Sequence, residues 1–208
     1  AAGEPFLRAE GTAAALHMAW KVSLNLCDHL SGVATRTRAI VDAAHSANPA
    51  CEVLTTRKSM PGVKDLLTKA VTCGGAFPHR LGASETVLVF DHHITFMGGF
   101  EAFLEALPAL RGRCVEKKLF VEAGPDEARR LAEAGVDGIQ LDKLPVDDLA
   151  ALVPELRAID PHLTLIAAGG INLQNAAAYA ATGVDGLATT APFTAKPIDM
   201  SVRMKRAE

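Results

Sequence analysis

The sequence predicts an α/β fold: a parallel βα barrel, TIM-like and open or incomplete, with leading helices. Short uncharged runs alternate with longer stretches whose apolar residues recur every three or four positions, which is typical of buried parallel strands separated by amphipathic helices. The segments AEAGVDGIQLD (132–142) and AATGVDGLATT (180–190) repeat one order of helix end, glycine, Val-Asp-Gly and strand. Such repetition indicates a βα barrel, although an open doubly wound sheet would give a similar pattern.

Two helices are expected before the first strand. One spans 11 to about 30, with Thr12 as its N-cap, because apolar residues recur there at helical spacing. The second spans about 34 to 47 and stops at Asn48-Pro49, because a residue before proline is pushed out of the helical region. The six predicted strands are Cys51–Thr55, Thr86–Phe90, Lys118–Glu122, Gly138–Leu141, Leu163–Ala167 and Gly186–Thr189. The predicted helices between them are 62–72, 100–110, 126–134, 146–158 and 172–182.

Composition narrows the class of protein. The 208 residues, 49% of them hydrophobic, can bury one substantial core. A net charge of −3 and an aromatic content of 5% argue against a nucleic-acid partner. No apolar run approaches the roughly 20 residues of a membrane span, and the N-terminus lacks the layout of a signal peptide, so we expect a cytoplasmic protein without a membrane partner. The four cysteines show no CxxC spacing and are expected to be reduced.

Cationic residues cluster in two segments. Arg57 and Lys58 follow a predicted strand in TTRKSMPG, and His79 and Arg80 follow a Gly-Gly turn. Arginine offers a bidentate fork and lysine a point charge, so such residues suit a carboxylate or phosphate. A pair of solvated loop cations is the alternative interpretation of the first segment.

Acidic residues end two later strands. In a barrel, Glu122 of VEAG and Asp142 of QLDK would meet at the rim that holds the cations. Carboxylates there can hold Mg²⁺ through water, while a structural salt bridge to a lysine is the alternative. A shared metal on His92 and His93 is disfavoured, because adjacent side chains of an extended segment point to opposite faces.

Glycines follow the strand that ends in AAGGIN. Ala168, Gly169 and Gly170 would let backbone N–H groups approach a phosphate at the start of the next helix. Thr189 and Thr190 lie in the neighbouring loop, and paired phosphate loops after the last two strands recur in barrels.

These motifs together resemble one family. The stretches HLSGVATRTR, TTRKSMPG, the GG...HRLG run, VEAG, the LD of GIQLDK and AAGGINLQNAAAYAATGVDGLA are similar to the quinolinate phosphoribosyltransferase family over nearly the whole chain. The ending APFTAKPIDMSVRM looks most like its ModD branch, which is associated with molybdenum-transport genes. The resemblance implies a pentosyltransferase that moves phosphoribose from phosphoribosyl pyrophosphate (PRPP) to a nitrogen heterocycle with release of pyrophosphate, Mg²⁺ as cofactor and a homodimer.

The resemblance also implies roles for individual residues. Catalytic roles fall on Glu122, Asp142 and Lys58, and metal binding falls on Glu122 and Asp142. The implied substrate-binding residues are Lys21, Arg57, Lys58, His79, Arg80, Phe90 and His93. The implied phosphate-binding residues are Ala168, Gly169, Gly170, Thr189 and Thr190.

Four positions depart from the family pattern. Phe90 stands where the family usually has a lysine that meets a substrate carboxylate, and removing one partner of a buried ion pair costs about 3–5 kcal/mol. Quinolinate is therefore disfavoured as the acceptor. Lys21 replaces an arginine expected to reach the partner subunit's site, which keeps the charge but loses the fork. Lys143 replaces an asparagine and Thr190 a glycine, which adjust the site without abolishing it.

Domain organisation and alternatives complete the expectations. Family members begin with a small α/β domain that is missing from this sequence, so residues 1–10 are expected to be its remnant and 11–208 the barrel domain. Such a barrel could leave its site open to water. A non-catalytic relative that binds an oxyanion such as molybdate is the alternative function, and an isomerase-type or synthase-type phosphate barrel is a third possibility.

Overall fold

The computed structural model describes residues 3–82 and 84–206. The strands are β1 (Glu52–Thr55), β2 (Phe77–Pro78), β3 (Val87–Val89), β4 (Leu119–Glu122), β5 (Gly138–Asp142), β6 (Thr164–Ala168) and β7 (Gly186–Thr189). The helices are α1 (Ala13–Ala47), α2 (Lys64–Cys73), α3 (Asp91–Phe96), α4 (Phe100–Gly112), α5 (Pro125–Glu133), α6 (Val146–Ile159) and α7 (Ala176–Ala181). A 3₁₀ turn, Ala191–Thr194, follows β7.

All seven strands are parallel and form one curled sheet in the order β2-β1-β7-β6-β5-β4-β3. Strands that follow one another in sequence are neighbours in the sheet, except β2 and β3, which lie at its two edges, and the sheet curls because β1 also pairs with β7. Within the described residues no ladder joins β2 to β3, so the barrel is open between them. This confirms the open parallel barrel, and the doubly wound alternative is wrong because the strand order never reverses.

Side chains that alternate along each strand fill two different cores. Outward residues pack beneath the helices in the main core, among them Val53, Val121, Ile139, Leu165 and Leu187. Inward residues form a small apolar plug inside the curl, made of Leu88, Phe120, Ile166, Ala168 and Ala188 with Leu54 and Phe90 against it. Strand side chains alternate between the two faces. The next inward-facing residue after a plug residue therefore lies at the carboxyl end of the curled sheet, as Glu122 does after Phe120.

The repeated Val-Asp-Gly segments have one shared structural task. Asp137 accepts the backbone N–H of Leu119 at 2.7 Å, and Asp185 accepts that of Leu165 at 2.6 Å. Asp185 also accepts from Arg157, whose Nη2 lies 2.7 Å from each of the two carboxylate oxygens. Each aspartate thus ties the start of its own strand to the start of the neighbouring strand, at the end of the sheet away from the carboxyl rim.

The leading segment is one helix rather than two, so the predicted break near residue 30 is wrong. Thr12 caps α1 as expected, accepting from the Ala15 N–H at 3.2 Å. Nothing between the two predicted helices breaks the ladder, since Gly32 is tolerated inside a helix. No helix in the described ranges is long and apolar enough to cross a membrane, although α1 has 35 residues. All four cysteines are free, as predicted.

Three further elements differ from the sequence-based expectation. The two-residue strand β2 and the short helix α3 were not predicted. Helix α7 begins at Ala176 rather than at residue 172, because the Asn172 and Asn175 side chains form a turn there: Asn175 Oδ1 accepts the Asn172 N–H at 2.7 Å. Such asparagine turns compete with the first turn of a helix.

A glycine in α1 is required by packing. A Cβ on Gly32 would lie 2.2 Å from the backbone oxygen of Lys196, in the C-terminal segment that crosses α1. That segment is also held by the Ile198 N–H, which donates to the Asp28 carbonyl at 2.9 Å.

Gly32→Ala is expected to lower the free energy of unfolding by about 1–3 kcal/mol, because the methyl group overpacks the crossing. Gly112→Ala, at the end of α4 where a Cβ meets nothing within 4 Å, is expected to raise it by up to about 1 kcal/mol through helix propensity. Urea unfolding of both variants measures the two signs. Stabilisation by Gly32→Ala would show that the segment does not pack against α1.

Candidate active site

Parallel pairing brings the carboxyl ends of all seven strands to one rim, and most of the predicted site residues lie there. Arg57 and Lys58 follow β1, and His79 and Arg80 follow β2. Glu122 ends β4, Asp142 ends β5, Gly169 and Gly170 follow β6, and Thr190 follows β7. The sequence analysis expected this convergence at one rim, and the geometry agrees.

The charges at the rim are close enough to act on one another. Arg57 lowers the pKa of Arg80, although burial is the larger cause of that shift. The pKa of Glu122 is raised, chiefly by burial; the charge of Asp142 adds to this shift, and the charges of Lys143 and Lys58 oppose it. The cations of the β1 and β2 loops and the carboxylates of β4 and β5 therefore belong to one electrostatic unit.

A cavity of about 270 Å³ opens between the β1 and β2 loops. Arg57 and Arg80 line it together with Thr56, Ser59 and Lys64. Two guanidinium groups beside hydroxyl donors suit an anion. Arg57 and Lys58 are both exposed, so the choice between an anion pocket and solvated loop cations stays a prediction.

A polar layer lies between the apolar plug and the rim. Its centre is Gln140, which is only 7% exposed and which the sequence analysis did not single out. Gln140 Nε2 donates to Glu122 Oε2 at 2.5 Å. Burial lowers the pKa of His79, which therefore stays neutral near pH 7, and the nearby Gln140 side chain opposes that shift. The one sequence feature that could have pointed to Gln140 is an amide between the apolar residues Ile139 and Leu141 of β5.

The two carboxylates of the rim differ in environment. Burial raises the pKa of Glu122 above its ordinary value, in spite of its bond to Gln140 and the nearby lysines. Asp142 is bound by Lys143 Nζ at 2.7 Å. The salt bridge considered as an alternative for Asp142 therefore exists, but it lies on the exposed rim, where such a pair contributes little to stability.

The backbone next to Asp142 is strained. Lys143 has φ 57°, a left-handed conformation that costs a residue with a side chain about 1–3 kcal/mol. Asparagine adopts it more readily than lysine, so the family residue would fit this position better. The conformation lets the Lys143 N–H donate to the Ala168 carbonyl at 2.8 Å, which joins the β5 and β6 loops.

The glycine turn after β6 has one packed and one open residue. A Cβ on Gly169 would lie 2.7 Å from the Lys143 nitrogen and 2.8 Å from Asp142 Oδ1, and its φ is 87°. Gly170 has φ 70°, and a Cβ there would meet nothing within 4 Å. Gly169 therefore lets the two loops touch, while Gly170 leaves space above the rim.

The two threonines after β7 have different surroundings. Thr189 is buried, and its hydroxyl donates to the Ile171 carbonyl at 2.6 Å and accepts from the Ala191 N–H at 3.0 Å. Thr190 Oγ1 lies 2.8 Å from Thr56 Oγ1 in the β1 loop. The Thr189 side chain thus fixes the loop, and the Thr190 hydroxyl is the one placed at the rim.

Aromatic rings occupy the rim after β3. Phe90 packs against the apolar plug, and its ring stacks on that of His92 with centroids 5.5 Å apart. The Arg80 guanidinium lies 5.8 Å from the Phe90 ring centroid. The expectation that His92 and His93 lie on an extended segment is wrong, because both are in α3, where their ring centroids are 4.0 Å apart. His93 Nδ1 accepts the Phe90 N–H at 3.0 Å, which caps that helix.

One predicted site residue is not brought to the rim of this chain. Lys21 lies on the exposed first half of α1, with its ammonium 4.9 Å from the Trp20 ring centroid. Its expected role in a partner subunit's site stays a prediction.

Comparisons with known proteins agree with this geometry. The family model described as "Quinolinate phosphoribosyl transferase, C-terminal domain" matches residues 33–203. The chain is 45% identical to ModD of Rhodobacter capsulatus over 176 residues, covering 84% of this chain and 67% of that protein. It is 38% identical to the nicotinate-nucleotide pyrophosphorylase [carboxylating] of Mycobacterium leprae over 191 residues, covering 91% and 65%.

A solved structure shows the same architecture. The nicotinate-nucleotide pyrophosphorylase of Francisella tularensis superposes with a TM-score of 0.79 at 30% identity, covering 91% of this chain and 65% of that one. The chain thus spans about two thirds of the length of the relatives that it matches.

Glu122→Gln is expected to raise the melting temperature at pH 7. An acid whose pKa is raised on folding binds its proton more tightly in the folded state, so stability falls as pH rises through the window above its ordinary value of 4.5. The neutral amide avoids that loss, and the difference from the original chain should vanish below pH 4.5.

Thermal unfolding between pH 4 and 8 measures this difference. The matched control is Glu105→Gln on the exposed face of α4, which should show no comparable pH-dependent gain. A melting temperature for Glu122→Gln below that of the original chain at pH 7 would contradict the assignment of burial as the dominant effect.

Proposed function

The chain belongs to the quinolinate phosphoribosyltransferase family, and from that premise we propose that it transfers phosphoribose from PRPP to a ring nitrogen of a heterocyclic carboxylate. Pyrophosphate is the leaving group: the nitrogen lone pair forms a bond to C1 of the ribose as the bond from C1 to the diphosphate oxygen breaks. The observation that carries the proposal is the convergence of cations, two carboxylates and an open glycine turn at one rim.

Phosphate groups would bind at the glycine turn. Gly170 leaves room for a phosphate close to the backbone, and the Thr190 hydroxyl lies on the neighbouring loop. Lys143 is paired with Asp142, and the charge of Lys58 acts on Glu122; both lysines would offset charge on the diphosphate. The loops after β6 and β7 are both held to the rest of the sheet by hydrogen bonds, so phosphate binding would require little reorganisation of the protein.

Mg²⁺ is proposed as the cofactor, with Glu122 and Asp142 as its protein ligands. Among the described residues no group of three or more His, Cys, Asp or Glu could hold a metal ion. Two carboxylates are nonetheless a suitable set, because Mg²⁺ is usually bound by one or two carboxylates together with substrate phosphates and water. When bound, the ion would neutralise developing charge on the leaving diphosphate.

The protein's own contribution would be positioning and electrostatics. The ribose centre would become positively charged as the diphosphate departs, and the Glu122 carboxylate would stabilise that charge. Holding the acceptor nitrogen in line with C1 would convert a bimolecular reaction into an effectively unimolecular step within the bound complex.

The acceptor would carry one carboxylate and a flat ring. Arg57 and Arg80 line the cavity that would receive the carboxylate. Phe90 fills the wall where a second carboxylate would need a cation, and its ring stacks on His92. This surface suits an apolar edge of the acceptor, so quinolinate, with two carboxylates, is disfavoured.

A homodimer is part of the proposal. On the first half of α1, the side chains of Met18, Val22 and Leu26 are exposed at four-residue spacing. An apolar stripe of this kind marks an interaction surface, and Lys21 lies on the same segment. The cytoplasmic location expected from the sequence stays a prediction.

Isothermal titration calorimetry of the 208-residue chain with PRPP and Mg²⁺ tests the function directly. We expect saturable binding that depends on Mg²⁺, and the Mg²⁺ dependence should be lost in Asp142→Asn. Lys117→Ala, which alters a cavity at the opposite end of the sheet, should bind like the original chain. Absence of heat at millimolar PRPP would count against the proposed function.

The same preparation distinguishes the alternative of an oxyanion-binding relative. Thermal stabilisation by molybdate or sulfate, with none from PRPP and Mg²⁺, would favour a non-catalytic binding protein. The neighbouring carboxylates Glu122 and Asp142 speak against that alternative, since they would repel a bare oxyanion.

Phe90→Lys is expected to raise kcat/KM for quinolinate by about a hundredfold, because it supplies a partner for the second carboxylate. Pyrophosphate release across a panel of pyridine and azole carboxylates measures the change. Phe90→Leu is the control, as it removes the ring without adding charge and should not improve quinolinate. Equal responses to both substitutions would show that charge at this wall does not select the acceptor.

A further inference from the structure

Gln140 is a buried amide on the inner face of the sheet. Its strand neighbours Ile139 and Leu141 face the main core, so Gln140 points into the curl between the apolar plug and the rim. A buried amide is unfavourable unless its donor and acceptor atoms find partners. The partners of Gln140 are therefore informative.

One partner is set by the register of the sheet. Gln140 lies opposite Glu122 on the adjacent parallel strands β5 and β4. Both side chains face inward, and Gln140 Nε2 donates to Glu122 Oε2 at 2.5 Å. Because the backbone ladder fixes both residues, the amide holds one carboxylate oxygen and leaves the other free to face the rim.

The second partner comes from the other side of the curl. His79 follows β2, at the opposite edge of the sheet from β3, and its imidazole lies near enough to Gln140 for the amide to oppose the lowering of the His79 pKa by burial. His79 Nε2 is buried and has no hydrogen-bond partner among the described residues. With its nitrogen engaged by Glu122, Gln140 has its carbonyl oxygen left to accept a ring N–H. That acceptor would fix one neutral tautomer of His79.

We propose that Gln140 is a positioning residue that holds the Glu122 carboxylate and the His79 ring in one orientation across the open curl. Its amide donates to the carboxylate and accepts from the imidazole. The free oxygen of Glu122 and the second ring nitrogen of His79 then face the substrate. The role in turnover rests on the proposed phosphoribosyl transfer, whereas the orientation of the two side chains does not.

Gln140→Met tests the proposal, because methionine keeps the length and volume but has no amide. With PRPP and an acceptor that the original chain uses, kcat should fall about tenfold or more while the acceptor KM stays within about twofold. On a Glu122→Ala background, Gln140→Met should have much less effect on kcat, since its partner is already gone. Leu141→Met on the outward face of β5 is the control and should leave both constants near those of the original chain.

Nitrogen-15 NMR of the His79 ring at fixed pH gives a readout without turnover. The original chain should show one neutral tautomer and Gln140→Met a mixture of two. If the original chain releases no pyrophosphate, the proposed function fails, and the tautomer measurement still decides the orientation by Gln140. A single unchanged tautomer in Gln140→Met, or an equal loss of kcat with and without Glu122, would overturn the inference.

Discussion

Parallel pairing of seven strands is the constraint on which the rest of this structure depends. Every backbone ladder from β2 to β3 around the curl runs in the same direction, so each carboxyl end reaches one rim. Residues that are as many as 134 positions apart in sequence, such as Thr56 and Thr190, become neighbours in one site in this way. Because side chains alternate along each strand, outward residues pack beneath the helices. Inward residues form the apolar plug and, nearer the rim, the polar groups of the site.

The amino end of the sheet contains contacts that hold the strands together, whereas the carboxyl end, the rim, contains the candidate active site. At the amino end, Asp137 and Asp185 tie neighbouring strands together. At the rim, burial disfavours the charge on Glu122, and Lys143 adopts a strained backbone conformation. Such unfavourable features persist only where the surrounding structure determines them, and they are concentrated in functional sites.

The sequence was sufficient for six of the seven strands, the open parallel barrel and the rim, because apolar periodicity and the repeated Val-Asp-Gly segments are local signals. It was insufficient for β2, whose two residues carry no periodicity, and for α3, where a helix starts directly after Phe90. The single helix α1 was divided because its first half is exposed and its second half buried, which changes the pattern without a break. Gln140 was missed because its importance depends on cross-strand register, and no single residue reveals that.

We propose that the rim binds a diphosphorylated sugar. A crystal structure of the chain with PRPP and Mg²⁺ tests it most directly. We expect the diphosphate to lie beside Glu122 and Asp142 and the 5-phosphate to lie at the Gly170 turn. Density for PRPP in the cavity at the other end of the sheet, lined by Arg111, Lys117 and Lys118, with the rim empty, would contradict it.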